Sequence, residues 1–302
     1  MGDSALSMKL LLIGRTGQLG WELERSLTPL GTVTALSHRE LDLQDPDQIR
    51  AAVRAAAPDI ILNCAAYTAV DQAEAEPGLA FDINARAPGI LAEEALRQQA
   101  FLIHFSTDYV FDGAKGTPYN EEDAACPLST YGRSKWAGEQ AIAASGAPHL
   151  ILRTGWLYSL RRRCFVTQVL EWARARPDLR IAEDQVGSPT WSRMVAEATS
   201  LLLRSGMDDV GGYLRERSGL YHLTSDAAVS RFEWARAILH FDPHPAQQRT
   251  TAATLRPARR TDFPAAAERP ANSALDCRLF RTTFGVSLPR WDLALRLAME
   301  AE

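Results

Sequence analysis

The feature that most constrains the fold of this chain is a glycine-punctuated turn, GRTGQLG, at residues 14–20. It follows the run MKLLLIG, whose unbroken apolar pattern is typical of a strand buried on both faces. After the turn, leucines recur every fourth residue, which predicts a helix. A strand, a bare glycine turn and a helix N-terminus together bind the pyrophosphate of a dinucleotide, so Gly14 and Gly17 are predicted cofactor contacts. An ordinary turn between a strand and a helix is the alternative.

The alternation of strand and helix continues along the first half of the chain. Predicted strands cover 8–14, 32–37, 59–66, 100–107, 149–158 and 220–225, and predicted helices cover 45–57, 85–99, 131–144, 161–175, 192–203 and 230–239. Because these strands are apolar rather than alternating, the predicted fold class is α/β, with a Rossmann-type doubly wound parallel sheet. We expect residues 8–158 to form mainly an NAD(P)-binding domain. Residues 159–302 are then mainly a smaller substrate-binding lobe, with some chain crossing back to the sheet and a predicted loop at 256–270.

Composition and charge exclude several classes of protein. The 302 residues are 46% hydrophobic and 23% charged, which supports a substantial globular core. A formal net charge of −4 provides no broad surface for nucleic acid or for an anionic membrane, and no apolar stretch approaches a transmembrane span. The four cysteines are widely spaced and form no C-x-x-C pair, so neither a metal site nor a redox motif is predicted. A reducing cytoplasm is the expected location.

The end of the second predicted strand bears on the choice of cofactor. Many NAD enzymes carry an acidic residue there for the ribose 2′-hydroxyl, whereas this chain has Ser37, His38 and Arg39. Without that carboxylate a 2′-phosphate is not repelled and Arg39 can pair with it, which favours NADPH over NADH. The alternative is that Arg39 is a solvated loop residue. Asp42 and Leu43 follow closely enough to border the adenine.

The segment YGRSKWAGE, at 131–139, places Tyr131 and Lys135 four residues apart at the start of a predicted helix. Residues at this spacing share a helix face, so both side chains would point toward one ligand. A nearby ammonium stabilises tyrosinate and lowers the phenol pKa, so Tyr131 can protonate an oxygen while hydride reaches the adjoining carbon. Lys135 would also hold the nicotinamide ribose. Taken alone, the pair fits an ordinary surface helix; combined with the glycine turn, it indicates catalysis.

A third motif, STDYVF at 106–111, begins at the carboxyl end of a predicted strand. Open α/β sheets bind their ligands at that edge, so the Thr107 hydroxyl can hydrogen-bond a reacting carbonyl. A structural turn stabilised by the same hydroxyl is the competing role. The chemistry that these residues predict needs no metal.

These motifs together resemble the extended short-chain dehydrogenase/reductase family. Further stretches resemble, in the same order, the branch of that family that reduces a dTDP-4-keto-6-deoxy-L-hexose with NADPH or NADH to give dTDP-L-rhamnose. They are NCAAYTAVDQAEAEP, PLSTYGRSKWAGE, RTGWLY, DQVGSPTW and ERPANSALD. The resemblance implies that hydride reaches C4 of the sugar, with Tyr131 as proton donor, Lys135 as its partner and Thr107 orienting the carbonyl.

The resemblance also implies the residues that bind the two ligands. The cofactor contacts follow the glycine turn and the ends of the next strands: Gly17, Gln18, Leu19, Asp42, Leu43, Ala66, Tyr67 and Thr68. The sugar contacts are Thr107, Asp108 and Trp156, and the alternative for Trp156 is a core aromatic residue. Arg269 and Asn272, in RPANS, are implied to contact the diphosphate or nucleotide, with a purely structural loop as the alternative.

Two other functions stay open at this point. Another sugar-nucleotide reductase or epimerase of the same superfamily would share the cofactor motifs, although the sequence supplies no obvious acid–base pair for epimerisation. A non-catalytic NADP-binding subunit, like the regulatory subunit of methionine adenosyltransferase, would not need the residues that carry catalysis. The chain also departs from the family at Arg161–Arg163, where relatives usually have a loop containing Gly and Asn. Either a monomer or a homodimer is compatible with the sequence.

Overall fold

The structure is a computed structural model that describes residues 8–206, 209–251 and 253–300, so the polar stretch MGDSALS before the first strand lies outside it. The strands of the described residues are β1 Met8–Ile13, β2 Gly31–Leu36, β3 Ile60–Asn63, β4 Phe101–Thr107, β5 His149–Thr154, β6 Leu157–Tyr158, β7 Leu179–Ala182, β8 Val186–Gly187, β9 Thr190–Trp191, β10 Gly219–His222, β11 Val229–Ser230 and β12 Leu255–Ala258. Their α-helices are α1 Gln18–Leu27, α2 Pro46–Ala56, α3 Val70–Ala75, α4 Pro77–Phe81, α5 Ala87–Arg97, α6 Thr130–Ala144, α7 Phe165–Ala175, α8 Ser192–Ser205, α9 Val210–Glu216, α10 Arg231–His240, α11 Arg278–Phe284 and α12 Trp291–Glu300.

One parallel sheet organises the molecule, with the strand order β10-β5-β4-β3-β1-β2. Each neighbouring pair in it is parallel. The carboxyl ends of its strands therefore lie at a single edge, which is where open α/β sheets bind ligands. The predicted α/β fold class with a parallel Rossmann-type sheet is confirmed.

The apolar pattern of β1 explains why helices cover both faces of the sheet. Leu10 and Leu12 point into one buried cluster, which α1 and α8 complete. Leu11 and Ile13 point into a second cluster on the opposite face, which α2 and α5 complete. These four side chains are at most 2% exposed, and full burial of each contributes roughly 1.5–3 kcal/mol. A strand that is buried on both faces cannot alternate polar and apolar residues.

Three differences from the sequence prediction lie in or after β5. The strand expected over 149–158 breaks after Thr154, because Trp156 has a left-handed φ of 44°. The helix expected from residue 161 begins only at Phe165, where the Cys164 N–H donates to the Thr167 hydroxyl. The loop expected over 256–270 contains most of β12, which pairs in parallel with β7.

The region after β5 contributes a third buried cluster, which includes Trp156, Tyr158 and Trp234. It also returns β10 to the edge of the main sheet beside β5. Every helix within the described ranges is too short or too polar to cross a membrane.

Candidate active site

A cavity of about 860 Å³ opens at the carboxyl edge of the sheet. Its walls come from the glycine turn after β1, the segments that follow β2, β3, β4 and β5, and the first turns of α6. These elements are far apart in the sequence, and the parallel sheet brings them to one place. The cavity is large enough for a bound small molecule of cofactor size.

The glycine turn forms one wall and is built for close approach of a ligand. Gly14 has a left-handed φ of 95°, and a Cβ there would lie 2.8 Å from the Ala65 backbone nitrogen. Its own N–H donates to the Leu36 carbonyl at 2.9 Å, which ties the turn to β2. Gly17 is the N-cap of α1 and offers no side-chain cap, so the first N–H groups of the helix are free to attract an anion.

Most of the predicted cofactor contacts lie in this cavity. They are Gly14, Gly17, Gln18, Leu19, Asp42, Leu43, Ala66 and Thr68. The Gln18 side-chain oxygen is buried without a hydrogen-bond partner within the described residues. An unsatisfied buried acceptor of this kind is expected where a ligand completes the site.

Tyr67 lies outside the lining of the cavity. Its hydroxyl donates to the Glu76 carboxylate at 2.6 Å, and this bond, reinforced by burial, raises the phenol pKa to about 12. Its backbone N–H donates to the Asn84 side chain. The structure thus gives Tyr67 a role in holding the segment after β3, and its predicted cofactor contact stays a prediction.

A carboxylate that the sequence argument did not consider lies at the end of β2. Glu40 folds back so that its carboxylate accepts both the Ser37 N–H, at 2.8 Å, and the Ser37 hydroxyl. The Ser37 hydroxyl, followed by the Ser37 N–H, lowers the pKa of Glu40 and favours the charged carboxylate. The premise that no carboxylate lies at this strand end is therefore wrong. Arg39 is exposed and lies outside the cavity lining.

Local sequence fixes the start of α6, which carries the Tyr-x-x-x-Lys pair. The Ser129 hydroxyl accepts the Gly132 N–H at 3.1 Å and caps the helix. Gly132 allows the helix to approach the segment after β4, since a Cβ there would lie 2.2 Å from the Tyr109 carbonyl oxygen. Tyr131 and Lys135 consequently both reach the cavity from the first turns of α6.

The Tyr131 phenol is less acidic than the sequence argument expected. Burial raises its pKa, and the charge of Asp108 raises it further, while a hydrogen bond with the Thr107 hydroxyl partly offsets the increase. The expected lowering of the phenol pKa by Lys135 is wrong for the protein without ligands. Tyr131 therefore stays protonated at neutral pH, which is the state that a proton donor requires.

Lys135 is 1% exposed, and its amine is held by groups behind the cavity. Its Nζ donates to the Phe105 carbonyl at 2.8 Å and lies 3.0 Å from His104 Nε2. Burial lowers the pKa of Lys135 to about 8, although Glu139 and Cys64 oppose the shift. A buried amine that titrates near neutrality can exchange a proton during turnover.

The predicted sugar contacts Thr107, Asp108 and Trp156 also line the cavity. Asp108 is 2% exposed, and burial raises the pKa of its carboxyl to about 6, although hydrogen bonds from Ser273 and Thr107 oppose the increase. Its Oδ2 atom is buried and has no hydrogen-bond partner within 8–206, 209–251 and 253–300. This carboxylate is therefore available to accept a hydroxyl from a ligand.

The surroundings of Trp156 fit both roles considered from the sequence. It is 8% exposed and belongs to the third cluster, where Trp234 stacks with it at a centroid distance of 5.5 Å. The Arg231 guanidinium carbon lies 3.6 Å from the centre of the indole. Its Nε1–H is buried at the cavity without a partner among the described residues. A strained backbone and an unused donor are typical of a ligand-binding position.

Arg269 and Asn272 lie outside the lining of this cavity. Arg269 forms a two-point ion pair with Asp71, at 2.6 and 3.1 Å. The Asn272 amide donates to the Lys115 carbonyl at 2.8 Å and its side-chain oxygen accepts the Ala274 N–H. These contacts fit the structural-loop alternative, and the predicted nucleotide contacts stay predictions.

Two groups near the site were not assigned from the sequence. Arg162 and Arg163 line the cavity, and the Arg162 guanidinium donates to the Thr16 carbonyl in the glycine turn. Arg161 stacks instead on Trp21, with its guanidinium carbon 3.4 Å from the ring centre. The run of three arginines was the available signal, but sequence alone does not say which of them reaches the cavity.

The second unassigned group is a buried ion pair behind α6. Arg153 contacts the Glu139 carboxylate at 2.7 and 3.0 Å, and both side chains are at most 6% exposed. The Ser106 hydroxyl donates to the same carboxylate. These contacts link α6 to β4 and β5, and so fix α6 against the sheet.

The chain is similar to known dTDP-4-dehydrorhamnose reductases in sequence and in structure. A model of the RmlD substrate-binding-domain family matches residues 8–302. A dTDP-4-dehydrorhamnose reductase from Burkholderia thailandensis is 39% identical over 97% of this chain and 98% of that protein. A Streptomyces antibioticus protein described as a probable dTDP-4,6-dihydroxy-2-methyloxan-3-one 4-ketoreductase is 37% identical over 96% of this chain and 94% of its own length. The crystal structure of a Bacillus anthracis dTDP-4-dehydrorhamnose reductase in complex with NADP matches with a TM-score of 0.87 and 30% identity, covering 98% and 100% of the two chains.

Proposed function

This chain belongs to the RmlD family of dTDP-4-dehydrorhamnose reductases, and we propose that it reduces dTDP-4-dehydro-β-L-rhamnose to dTDP-L-rhamnose with NADPH or NADH. The observation that carries the proposal is the shared cavity: Thr107, Tyr131 and Lys135 line the same space as the glycine turn. A hydride acceptor bound between them would meet a proton donor and a dinucleotide in one enclosure. As part of the proposal, residues 8–158 mainly hold the cofactor and 159–302 mainly the sugar nucleotide.

The residues of the glycine turn fit a dinucleotide. Gly14 leaves no side chain between the backbone and a ligand, and the uncapped N-terminus of α1 provides N–H donors for a pyrophosphate. The Bacillus anthracis relative is described with NADP, which supports the same cofactor here. When bound, the reduced nicotinamide supplies the hydride, and the remaining chemistry belongs to side chains of this chain.

Tyr131 acts as the proton donor in this proposal. Because burial raises its pKa, the phenol carries its proton at neutral pH and gives it up only to a stronger base. The oxygen of a ketone that receives hydride becomes such a base. Thr107, which shares a hydrogen bond with the phenol, holds the carbonyl oxygen beside it. Lys135 then returns a proton to the phenolate, which its nearly neutral pKa permits.

Asp108 and Trp156 orient the sugar in this proposal, because each presents an unused polar atom at the cavity wall. The Asp108 carboxylate accepts a sugar hydroxyl, and the Trp156 indole N–H donates to a sugar oxygen. A cytoplasmic location is part of the proposal, and the four free cysteines, of which Cys126 is exposed, are what a reducing compartment favours. The protein acts as a monomer or a homodimer.

The test is NADPH oxidation by the purified protein in the presence of dTDP-4-dehydro-L-rhamnose, with the sugar product identified. Tyr131→Phe should reduce kcat by roughly 10²- to 10⁴-fold, the range of general acid catalysis, and leave the Kd for NADPH unchanged. Tyr213→Phe is the matched control, because Tyr213 is half-buried and lies outside the cavity lining. Unchanged turnover in Tyr131→Phe would remove the assigned role.

A second candidate function is reduction of a related dTDP-4-ketosugar. The identity to the Streptomyces antibioticus protein nearly equals that to the Burkholderia thailandensis reductase, so overall similarity does not separate the two substrates. Comparison of kcat/KM for both ketosugars distinguishes them. Complete inactivity with both, together with tight NADPH binding, would instead favour a non-catalytic NADP-binding subunit.

A further inference from the structure

We propose that His104 and Asn63 form a two-state relay behind Lys135, in which the His104 imidazole changes tautomer whenever Lys135 gains or loses its proton. His104 and Asn63 are positioning residues in this proposal, since they act through Lys135. Its importance for turnover rests on the proposed function, but the relay itself is a property of the protein without ligands.

The three side chains form one buried line across the sheet. His104, on β4, is fully buried, and so is Asn63, at the end of β3. His104 Nε2 lies 3.0 Å from Lys135 Nζ, and His104 Nδ1 lies 3.1 Å from Asn63 Nδ2. Since water does not reach these atoms, each polar group must be satisfied by its neighbours.

The hydrogen-bond donors and acceptors in this line determine where the protons lie. The Ala65 N–H donates to Asn63 Oδ1 at 3.2 Å, so the Asn63 amide turns its NH₂ group toward the imidazole. His104 Nδ1 must then accept, which places the ring proton on Nε2. That N–H points at Lys135 Nζ, and only a neutral amine has a lone pair to accept it. The arrangement in this structure therefore corresponds to the state of the relay in which Lys135 is a neutral amine.

Protonation of Lys135 requires the opposite arrangement. An ammonium can only donate, so His104 Nε2 must accept and the ring proton must lie on Nδ1. Asn63 must then rotate its amide to present Oδ1 to the ring, which releases the Ala65 N–H. The overall change is the uptake of one proton from solvent, and the imidazole keeps one N–H in both states. Because Ala65 packs against Gly14, the rearrangement reaches the floor of the cofactor turn.

The charged and titratable groups around these three side chains favour gain and loss of a proton at Lys135 rather than at His104. Burial, followed by the charges of Lys135 and His149, holds the pKa of His104 well below its usual range. Lys135 faces Glu139 on its own helix and Cys64 after β3, and both favour its charged form. The relay gives the buried amine a hydrogen-bonded partner before and after it passes a proton toward Tyr131.

The ligand-free protein provides a direct test by NMR. The sequence contains three lysines and six histidines, so the Lys135 side-chain signal and the His104 ring nitrogens can be assigned with a few variants. We expect His104 to carry its proton on Nε2 above the titration midpoint of Lys135 and on Nδ1 below it, with coincident midpoints. One tautomer throughout pH 6–10, or conversion to imidazolium, would overturn the proposal.

Asn63→Asp tests the relay from its far end. A carboxylate accepts from both Ala65 and His104, so it fixes the ring proton on Nδ1 and favours the ammonium. The Lys135 midpoint should rise by roughly 1–3 pH units, the usual effect of such a change. In the His104→Phe background the new charge remains but the relay is gone, so the rise should be much smaller. Equal rises in both backgrounds would mean a through-space charge effect and would refute the relay. A negative result in these titrations would refute the relay but not the proposed ketosugar reduction. Conversely, the titrations can still be measured if the protein proves inactive toward the ketosugar.

Discussion

Replacement of Asp108 by Asn should stabilise the protein relative to the wild type, and this gain should increase as the pH rises. The same replacement should weaken activity toward the ketosugar. The Asp108 carboxyl is 2% exposed and one of its oxygens has no partner among the described residues. Burial raises its pKa from 3.8 to about 6, so the folded protein binds this proton more tightly than the unfolded chain does. Ionisation of Asp108 consequently destabilises the fold, and an asparagine does not ionise.

The magnitude follows from the difference between the folded and unfolded pKa values of the carboxyl. Well below pH 3.8 the carboxyl is protonated in both states and contributes nothing to the pH dependence. Each pKa unit corresponds to about 1.4 kcal/mol, so the full cost above pH 6 is about 3 kcal/mol. At pH 5 the same relation gives about 1.5 kcal/mol. The stability of Asp108→Asn relative to the wild type should therefore increase by about 1.5 kcal/mol between pH 5 and pH 7.5.

The assay is urea unfolding of both proteins at several pH values, with equal m-values as the check on two-state behaviour. The decisive quantity is how the difference in free energy of unfolding between the two proteins changes with pH. Any difference in packing of the asparagine adds an offset that does not change with pH. Asp47→Asn, at a highly exposed carboxylate of α2, controls for the loss of one surface charge. A stability difference that stays constant from pH 5 to pH 7.5, or decreases, would refute the reasoning. The same variant should lose kcat/KM for the ketosugar.

Three further predictions concern charges around the cavity. Glu139→Gln should lower the free energy of unfolding by about 3–5 kcal/mol in urea titrations, because it leaves the Arg153 guanidinium buried without its opposite charge; a loss below about 1 kcal/mol would contradict this. Glu40→Gln should raise the ratio of kcat/KM for NADPH to that for NADH, because it removes a carboxylate from the end of β2; an unchanged ratio would place the ribose elsewhere. Arg162→Ala should weaken NADPH binding by roughly 10- to 100-fold in fluorescence titrations, the range for a hydrogen bond to a charged group, whereas Arg161→Ala should change it little.

Much of the fold could be predicted because its signals are local. The apolar run of β1, the glycines of the following turn and the leucine spacing of α1 each act within a few residues. Asp45 is a similar case, since its side chain accepts the Asp47 and Gln48 N–H groups at the start of α2. The short strand β12 was missed because its partner β7 is more than 70 residues away and its own sequence, LRPA, gives no pattern.

The sequence predicted which residues form the site, but it did not predict their pKa values. Spacing places Tyr131 and Lys135 on one helix face, and both do reach the cavity. Their pKa values depend on burial and on partners from β3 and β4, which no spacing rule supplies. Glu40 shows the same limit, because a carboxylate three residues beyond Ser37 folds back onto it. His104 was visible only as one polar residue inside an apolar strand.

Four of the eleven buried side-chain polar atoms that lack a hydrogen-bond partner within 8–206, 209–251 and 253–300 lie where a ligand would meet them. Gln18 Oε1, Asp108 Oδ2, Thr154 Oγ1 and Trp156 Nε1 all belong to residues of the cavity wall. Each such atom destabilises the fold by about 1–3 kcal/mol until a partner arrives. Behind the wall, Glu139 and Arg153 pair with each other, and Arg153 Nη1 is a further buried donor without a partner among the described residues. The cavity wall therefore offers several unpaired donors and acceptors to a ligand. This arrangement gives binding energy to a ligand that supplies hydroxyls and phosphates, and leaves the free protein less stable than its core allows.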